Sequence, residues 1–164
     1  MIADVLIRRY GPPHFRLVGF HLWVHGYEFP DRDDHHDGNW LLATACCEFE
    51  GSVAWVEQSP CLEAHDFPHF VQKVERLLAG RSRRAGLFPL ASDFHLLLGQ
   101  SYKAGLFEVK VAMEPHGAKG RSLLLVSMTN EYEYQVGLRA LSDGLEQAKV
   151  LTERWPVRGI RPAC

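Results

Sequence analysis

Alternating apolar and polar positions predict the strands in the first half of the chain. Residues 15–27 are apolar on both alternating faces, which is typical of a strand that is covered on both sides. Residues 40–49 and 53–57 predict a hairpin with Glu50-Gly51-Ser52 as its turn, because Gly51 can adopt a positive φ. The segment Pro60-Cys61-Leu62 is expected to end this hairpin, and residues 1–13 are expected to form an irregular lead-in.

Apolar residues at spacings of three and four predict a helix over residues 67–78. Asp66 is a candidate N-terminal cap, and Pro68 would lie in the first turn, where its missing N–H costs nothing. Gly80 is expected to stop the helix.

A second apolar stripe predicts a helix from Leu138 to Trp155, closed by Pro156. Gly144 lies inside this stripe and costs about 1 kcal/mol relative to Ala in a helix. The alternative is therefore a shorter helix that begins at Ser142 or Asp143.

Three or four strands are predicted between the two helices. They cover residues 94–99, 107–113, 123–128 and 132–136, of which the last either continues the third or pairs with it. Residues 81–84 form a basic linker, and residues 115–120 form a turn. Since strands and helices do not alternate regularly, the pattern favours an α+β fold. We expect a single domain over residues 1–164, with a mainly antiparallel sheet of six to seven strands and two covering helices.

Composition and charge exclude several classes of protein. The chain has 164 residues and a net charge of −2, whereas a general nucleic-acid-binding protein would usually be clearly basic. Its apolar runs are too short to span a membrane, and the first residues do not resemble a signal peptide, so we expect a cytoplasmic location. The four cysteines, at positions 46, 47, 61 and 164, contain no C-x-x-C pair and are expected to be reduced.

The most polar segment, which we call the acidic loop, comprises residues 31–37 between two apolar strands. Its charged and titratable members are Asp31, Asp33, Asp34, His35, His36 and Asp37. Unpaired charge is costly to bury, so these side chains must face water or a partner. One expectation is a solvated loop whose like charges repel and hold it open.

A metal site is the alternative interpretation of the acidic loop. Asp33, His35 and Asp37 occupy the first, third and fifth positions of a calcium-loop register, and Gly38 follows. The twelfth position is Thr44, where a bidentate Glu is needed, so the register is incomplete. This alternative would make the chain a metal-binding protein or a metal-dependent hydrolase that uses loop 31–37. No G-x-S-x-G, Walker or G-x-G-x-x-G motif is present, and we expect neither catalytic residues nor a cofactor.

Several short segments, taken in order, resemble the WapI-type immunity proteins of bacterial polymorphic toxin systems. They are Gly26-Tyr27-Glu28-Phe29-Pro30, a spacer containing Asp, Asn39-Trp40-Leu41, Trp55, Pro60-Cys61-Leu62 and the helical stretch 67–78. The resemblance covers roughly residues 20–100.

The resemblance implies a non-enzymatic protein that binds and neutralises a cognate toxin domain, for which a nuclease is one candidate. The candidate contact residues are Tyr27, Phe29, Asp31, Asp33, Asp34 and Asp37, because acidic groups suit a basic toxin site and aromatic groups often anchor interfaces. No nucleic acid or membrane is expected as a partner. A housekeeping adaptor without a toxin partner is a third possibility, and the sequence leaves the toxin and the oligomeric state open.

Overall fold

The computed structural model describes residues 2–91, 93–114 and 130–159. The helices and strands in chain order are α1 (Ile2–Tyr10), β1 (Phe15–Leu17), β2 (Phe20–Tyr27), β3 (Trp40–Phe49), β4 (Ser52–Glu63), α2 (Asp66–Leu78), β5 (Arg84–Leu87), β6 (Phe94–Gln100), β7 (Leu106–Met113), β8 (Asn130–Gly137) and α3 (Leu138–Arg154). A short 3₁₀ turn, Asp37–Asn39, precedes β3.

The strands form two four-stranded sheets in which every neighbouring pair is antiparallel. The first sheet has the order β1-β2-β3-β4, and the second has the order β5-β6-β7-β8. The predicted α+β class with antiparallel pairing is confirmed. The sequence predicted six to seven strands in one sheet, whereas the described part of the chain has eight strands in two sheets.

Two local features account for the difference in strand number. A turn at Val18 and Gly19 divides the stretch that was predicted as one strand into β1 and β2, and the N–H of Glu48 donates to the carbonyl of Gly19 at 3.0 Å. The short strand β5 begins at Arg84, at the end of the predicted basic linker, and pairs with β6. Four residues that include a glycine give too little alternation to be detected.

The main core lies between the two sheets and helices α2 and α3. The rings of Phe20 and Phe94, one from each sheet, are 5.4 Å apart. The hydroxyl of Tyr134 on β8 donates to the carbonyl of Leu17 on β1 at 2.7 Å and satisfies a polar group inside the core. The turn at one end of the first sheet is therefore fixed directly to the second sheet.

Helix α1 replaces the irregular lead-in that the sequence predicted for residues 1–13. Its buried residues Ala3 and Leu6 pack on Trp23 of β2 and Cys46 of β3, on the face of the first sheet that points away from the main core. Strand β2 is therefore covered on both faces, as its sequence predicted. The helix has only nine residues and also exposes Val5, which obscures its apolar stripe.

The predicted hairpin is confirmed, but β4 does not end at Pro60-Cys61-Leu62. The strand continues through these residues to Glu63, and Leu62 pairs with Leu41. A proline is tolerated there because β4 is an edge strand and needs no donor on its outer side.

Both predicted helices are present. The predicted cap at Asp66 is wrong: Asp66 is the first residue of α2, the N-cap position is His65, and no side chain makes a capping bond there. The carboxylate of Asp66 instead accepts the N–H of Glu63 at 2.8 Å. The helix closes at Gly80, whose φ is +69° and whose N–H donates to Leu77. Helix α3 runs without interruption through Gly144, so the shorter alternative is wrong.

The predicted turn at residues 115–120, the predicted strand at residues 123–128 and Cys164 lie outside the described residues. Cys46, Cys47 and Cys61 are buried and form no disulfide. Burial raises the pKa of Cys46 and of Cys47 to about 12. None of the helices in the described ranges is long and apolar enough to cross a membrane.

Candidate partner-binding loop

The acidic loop lies in the connection between β2 and β3, and the pairing of these strands shifts by one residue shortly before β2 ends. The irregularity falls between Val24 and Gly26, and the N–H of Glu28 still donates to the carbonyl of Trp40 at 2.8 Å. Bulges of this kind often redirect a strand next to a functional site. The loop therefore leaves the end of the first sheet from a fixed position.

Asp34 organises the loop from inside. Its Oδ1 accepts the N–H of His36 at 3.0 Å and the N–H of Asp37 at 2.8 Å, as in an Asx turn. The bond from the Asp37 N–H and the contact with the Arg32 guanidinium favour the charged carboxylate and lower the pKa of Asp34 below its ordinary value of 3.8. Asp34 is therefore a structural residue of the loop.

Arg32 neutralises two of the acidic side chains. Its Nε lies 2.9 Å from Oδ2 of Asp34, and its Nη1 lies 2.9 Å from Oδ2 of Asp37. The expectation of a loop held open by repulsion is therefore wrong, because a cation inside the loop draws two carboxylates together.

Asp31 and Asp33 are the outward-facing carboxylates of the acidic loop. Both are exposed, and within the described ranges neither has an ion-pair partner within 4 Å. Phe29, just before the loop, is 41 % exposed. Within the described ranges, these three side chains of the predicted contact set are exposed and take part in no ion pair.

Tyr27 belongs to the predicted contact set but is engaged within the molecule. Its hydroxyl donates to the carbonyl of Pro156 at 2.5 Å, and its ring meets that of Trp155 edge to face with 5.4 Å between centroids. The Cζ atom of Arg158 lies 3.5 Å from the centroid of the same ring. Tyr27 therefore joins β2 to residues 155–159, which we call the C-terminal segment.

Asn39 and Arg158 were missed by the sequence analysis. Asn39 is fully buried at the start of β3, and its side chain exchanges hydrogen bonds with the backbone of Arg158. Arg158 in turn donates to carbonyls just before and within the acidic loop. In the sequence, Asn39 appears only in the segment Asn39-Trp40-Leu41 of the family resemblance, and nothing there links it to a residue 119 positions away.

The metal alternative receives no support from the geometry. In residues 2–91, 93–114 and 130–159, no three His, Cys, Asp or Glu side chains are grouped so that they could hold a metal ion. Asp33, His35 and Asp37 are not brought together as ligands, and Asp37 is occupied by Arg32. His65 and His69 do lie close, with ring centroids 5.8 Å apart, but they belong to no such group.

Comparison with known proteins identifies the family. No curated protein and no solved structure matches the chain. The model of the immunity protein WapI-like family matches residues 16–153, which include the acidic loop but neither α1 nor the C-terminal segment. The resemblance found in the sequence is thereby confirmed, and this chain belongs to the immunity protein WapI-like family.

Proposed function

We propose that this protein neutralises a cognate toxin domain by binding it, without catalysing a reaction, and that Phe29, Asp31 and Asp33 lie in the contact. Membership of an immunity protein family supports the toxin as partner. The three side chains were all in the contact set predicted from the sequence. Within that set, Tyr27, Asp34 and Asp37 serve to shape the loop.

The observation that supports the proposal is that the carboxylates of the acidic loop fall into two groups, those bonded within the loop and those that face solvent. The carboxylate of Asp34 accepts two backbone N–H groups and pairs with Arg32, and the carboxylate of Asp37 pairs with Arg32, whereas Asp31 and Asp33 face solvent. A loop that is ordered before binding loses less conformational entropy on association than a mobile one. Its outward carboxylates can therefore contribute to affinity as well as to the rate of encounter.

The negative charge of Asp31 and Asp33 indicates what kind of partner surface the loop can bind. Two unpaired carboxylates beside an exposed aromatic ring complement a basic surface that has an apolar patch. A toxin that cleaves nucleic acid has such a basic surface, because it must bind phosphates. We therefore propose that the loop covers the substrate-binding surface of a nuclease toxin.

The test uses the C-terminal domain of the large secreted protein that we expect the gene immediately upstream to encode, made catalytically inactive by mutation. The variant Asp31→Asn/Asp33→Asn removes the two outward charges and keeps the shape of the side chains. We expect its association rate constant at low salt to fall about tenfold, because steering by opposite charge is lost. The difference from the wild type should shrink at high salt, where charges are screened.

The matched control is Glu131→Gln/Asp143→Asn. It makes the same change in net charge at exposed positions on β8 and α3. Equal effects of the two variants would reject the loop as the contact while leaving the toxin as partner. Failure of the wild type to bind the toxin domain, and to restore growth when co-expressed with the active toxin, would reject the proposed function itself.

A further inference from the structure

The guanidinium of Arg158 donates hydrogen bonds to three backbone carbonyls at the start of the acidic loop and just before it. Its Nη1 donates to the carbonyls of Phe29 at 3.3 Å, Pro30 at 3.2 Å and Arg32 at 2.6 Å. Its Cζ atom lies over the ring of Tyr27, 3.5 Å from the ring centroid. One cation thus fixes the segment that carries Phe29 and Asp31.

Asn39 holds the backbone of Arg158 in the position that these contacts require. Its Oδ1 accepts the N–H of Arg158 at 2.7 Å, and its Nδ2 donates to the carbonyl of Arg158 at 3.2 Å. The same Nδ2 donates to the carbonyl of His35 at 3.0 Å, so one buried amide contacts both the loop and the C-terminal segment.

Gly159 shows how closely the two segments approach. Its φ is +74°, and a Cβ atom built on it would lie 2.5 Å from the backbone nitrogen of His35. A side chain at this position would push the backbone of the C-terminal segment away from the loop. The C-terminal segment is therefore in direct backbone contact with the acidic loop.

From these contacts we infer that Arg158 is a positioning residue for toxin binding: with Asn39 it fixes the acidic loop so that Phe29, Asp31 and Asp33 are presented before the toxin arrives. The inference rests on the proposed function. Arg158 acts through the loop backbone, because its guanidinium is directed at the loop carbonyls and at Tyr27. The family model matches residues 16–153, so Arg158 and its contacts with the loop backbone involve a part of the chain that lies outside the matched region.

The first arm of the test uses the free protein. In Arg158→Ala we expect amide hydrogen exchange over residues 29–38 to become at least about tenfold faster, because the loop opens locally. Arg139→Ala makes the same charge change at an exposed position on α3 and should leave exchange in the loop unaltered. Arg158→Lys keeps the charge but lacks the planar fork, so it should give an intermediate rate even if Arg158→Ala fails to fold.

The second arm measures binding to the inactive toxin domain. We expect Arg158→Ala to weaken binding about tenfold, equivalent to about 1.4 kcal/mol. In the Asp31→Asn/Asp33→Asn background the same substitution should cost much less, because the groups that Arg158 positions no longer contribute. A double-mutant cycle measures this coupling, which a general loss of stability would not produce.

The outcomes separate the inference from the proposed function. Faster exchange in the loop together with unchanged toxin affinity would overturn the inference and leave the proposed function standing. Fully additive effects in the cycle would overturn it as well, since Arg158 would then act independently of the loop. If the wild type does not bind the toxin domain, the proposed function fails and the inference fails with it.

Discussion

Asn39 links the acidic loop to the C-terminal segment, although its side chain is neutral. Its amide group is fully buried and bonds to three backbone groups that belong to His35 and Arg158. Its own carbonyl accepts the N–H of Ala64 at 2.9 Å. The side chain of Asn39 therefore joins the acidic loop to the C-terminal segment, and its backbone is bonded to the residue that follows β4.

We expect Asn39→Ala to lower the free energy of unfolding by about 2–3 kcal/mol, because it leaves buried backbone donors and acceptors without partners. Urea denaturation of the wild type and the variant measures the difference. Gln135→Ala is the control: it removes an exposed amide that makes one bond, to Ser101, and should cost less than about 0.5 kcal/mol. Similar costs for both substitutions would show that burial of the Asn39 amide is unimportant.

At the scale of single residues, the sequence predicted the composition of the candidate site and not its internal pairing. The excess of Asp over residues 31–37 was visible at once, and Asp31 and Asp33 are exposed as expected. The ion pairs of Arg32 could not be predicted, because they depend on the turn that Asp34 imposes. The contact with Arg158 joins residues far apart in sequence, and no local pattern indicates it.

Among the elements, those with a strong repeat were predicted and those with a weak one were not. Helix α2 shows a long amphipathic repeat with recognisable ends, and its predicted bounds differ from the observed ones by one residue at the N-terminus. Helix α1 and strand β5 are short and mix exposed and buried apolar residues, so tertiary packing determines them more than their own sequence does. The division of residues 15–27 into β1 and β2 depends on the turn at Val18 and Gly19, which apolar residues on both sides conceal.

Gly144, the residue that suggested a shorter α3 in the sequence, has room for a side chain. A Cβ atom on Gly144 would lie 3.6 Å from Cε2 of Phe15 and 3.7 Å from Cδ1 of Leu17, which are ordinary packing distances. We expect Gly144→Ala to raise the free energy of unfolding by up to about 1 kcal/mol, because alanine is the better helix former. Thermal and urea denaturation measure the change.

The same substitution at Gly19 provides the contrast. A Cβ atom there would overlap the carbonyl oxygen of Glu48 on the neighbouring strand, so Gly19→Ala should destabilise the protein clearly. A loss of stability in Gly144→Ala would show that the space beside Phe15 is smaller than these distances indicate.

For the molecule as a whole, stability should depend on pH through histidines buried in the first sheet and beside it. Burial lowers the pKa of His14, His21 and His25 below the ordinary value of 6.5. At these three positions, the unfolded chain therefore binds more protons than the folded chain below pH 6.5. The contribution of these groups is fully present above pH 6.5 and is lost as the pH falls through their lowered pKa values.

We expect the free energy of unfolding to decrease between pH 7.5 and pH 5.5, and to decrease less in His21→Phe. His21 is the informative position because it is buried and its Nδ1 has no hydrogen-bond partner among the residues that the structure describes. Urea denaturation across this pH range measures both slopes. Burial raises the pKa of Asp66 and acts in the opposite direction, and this contribution cancels when the two proteins are compared. Identical slopes would exclude His21 as a source of the pH dependence.

The buried thiols of Cys46 and Cys47 have a practical consequence for labelling. A thiol with a pKa of about 12 holds almost no thiolate at neutral pH, and the thiolate is the species that attacks maleimides and disulfide reagents. A cysteine introduced at an exposed position of the acidic loop, with Cys164 replaced by serine, should therefore take up a fluorophore selectively. The buried thiols of Cys46 and Cys47 would react only when the first sheet opens. The slow rate of their modification would therefore report how often the sheet opens.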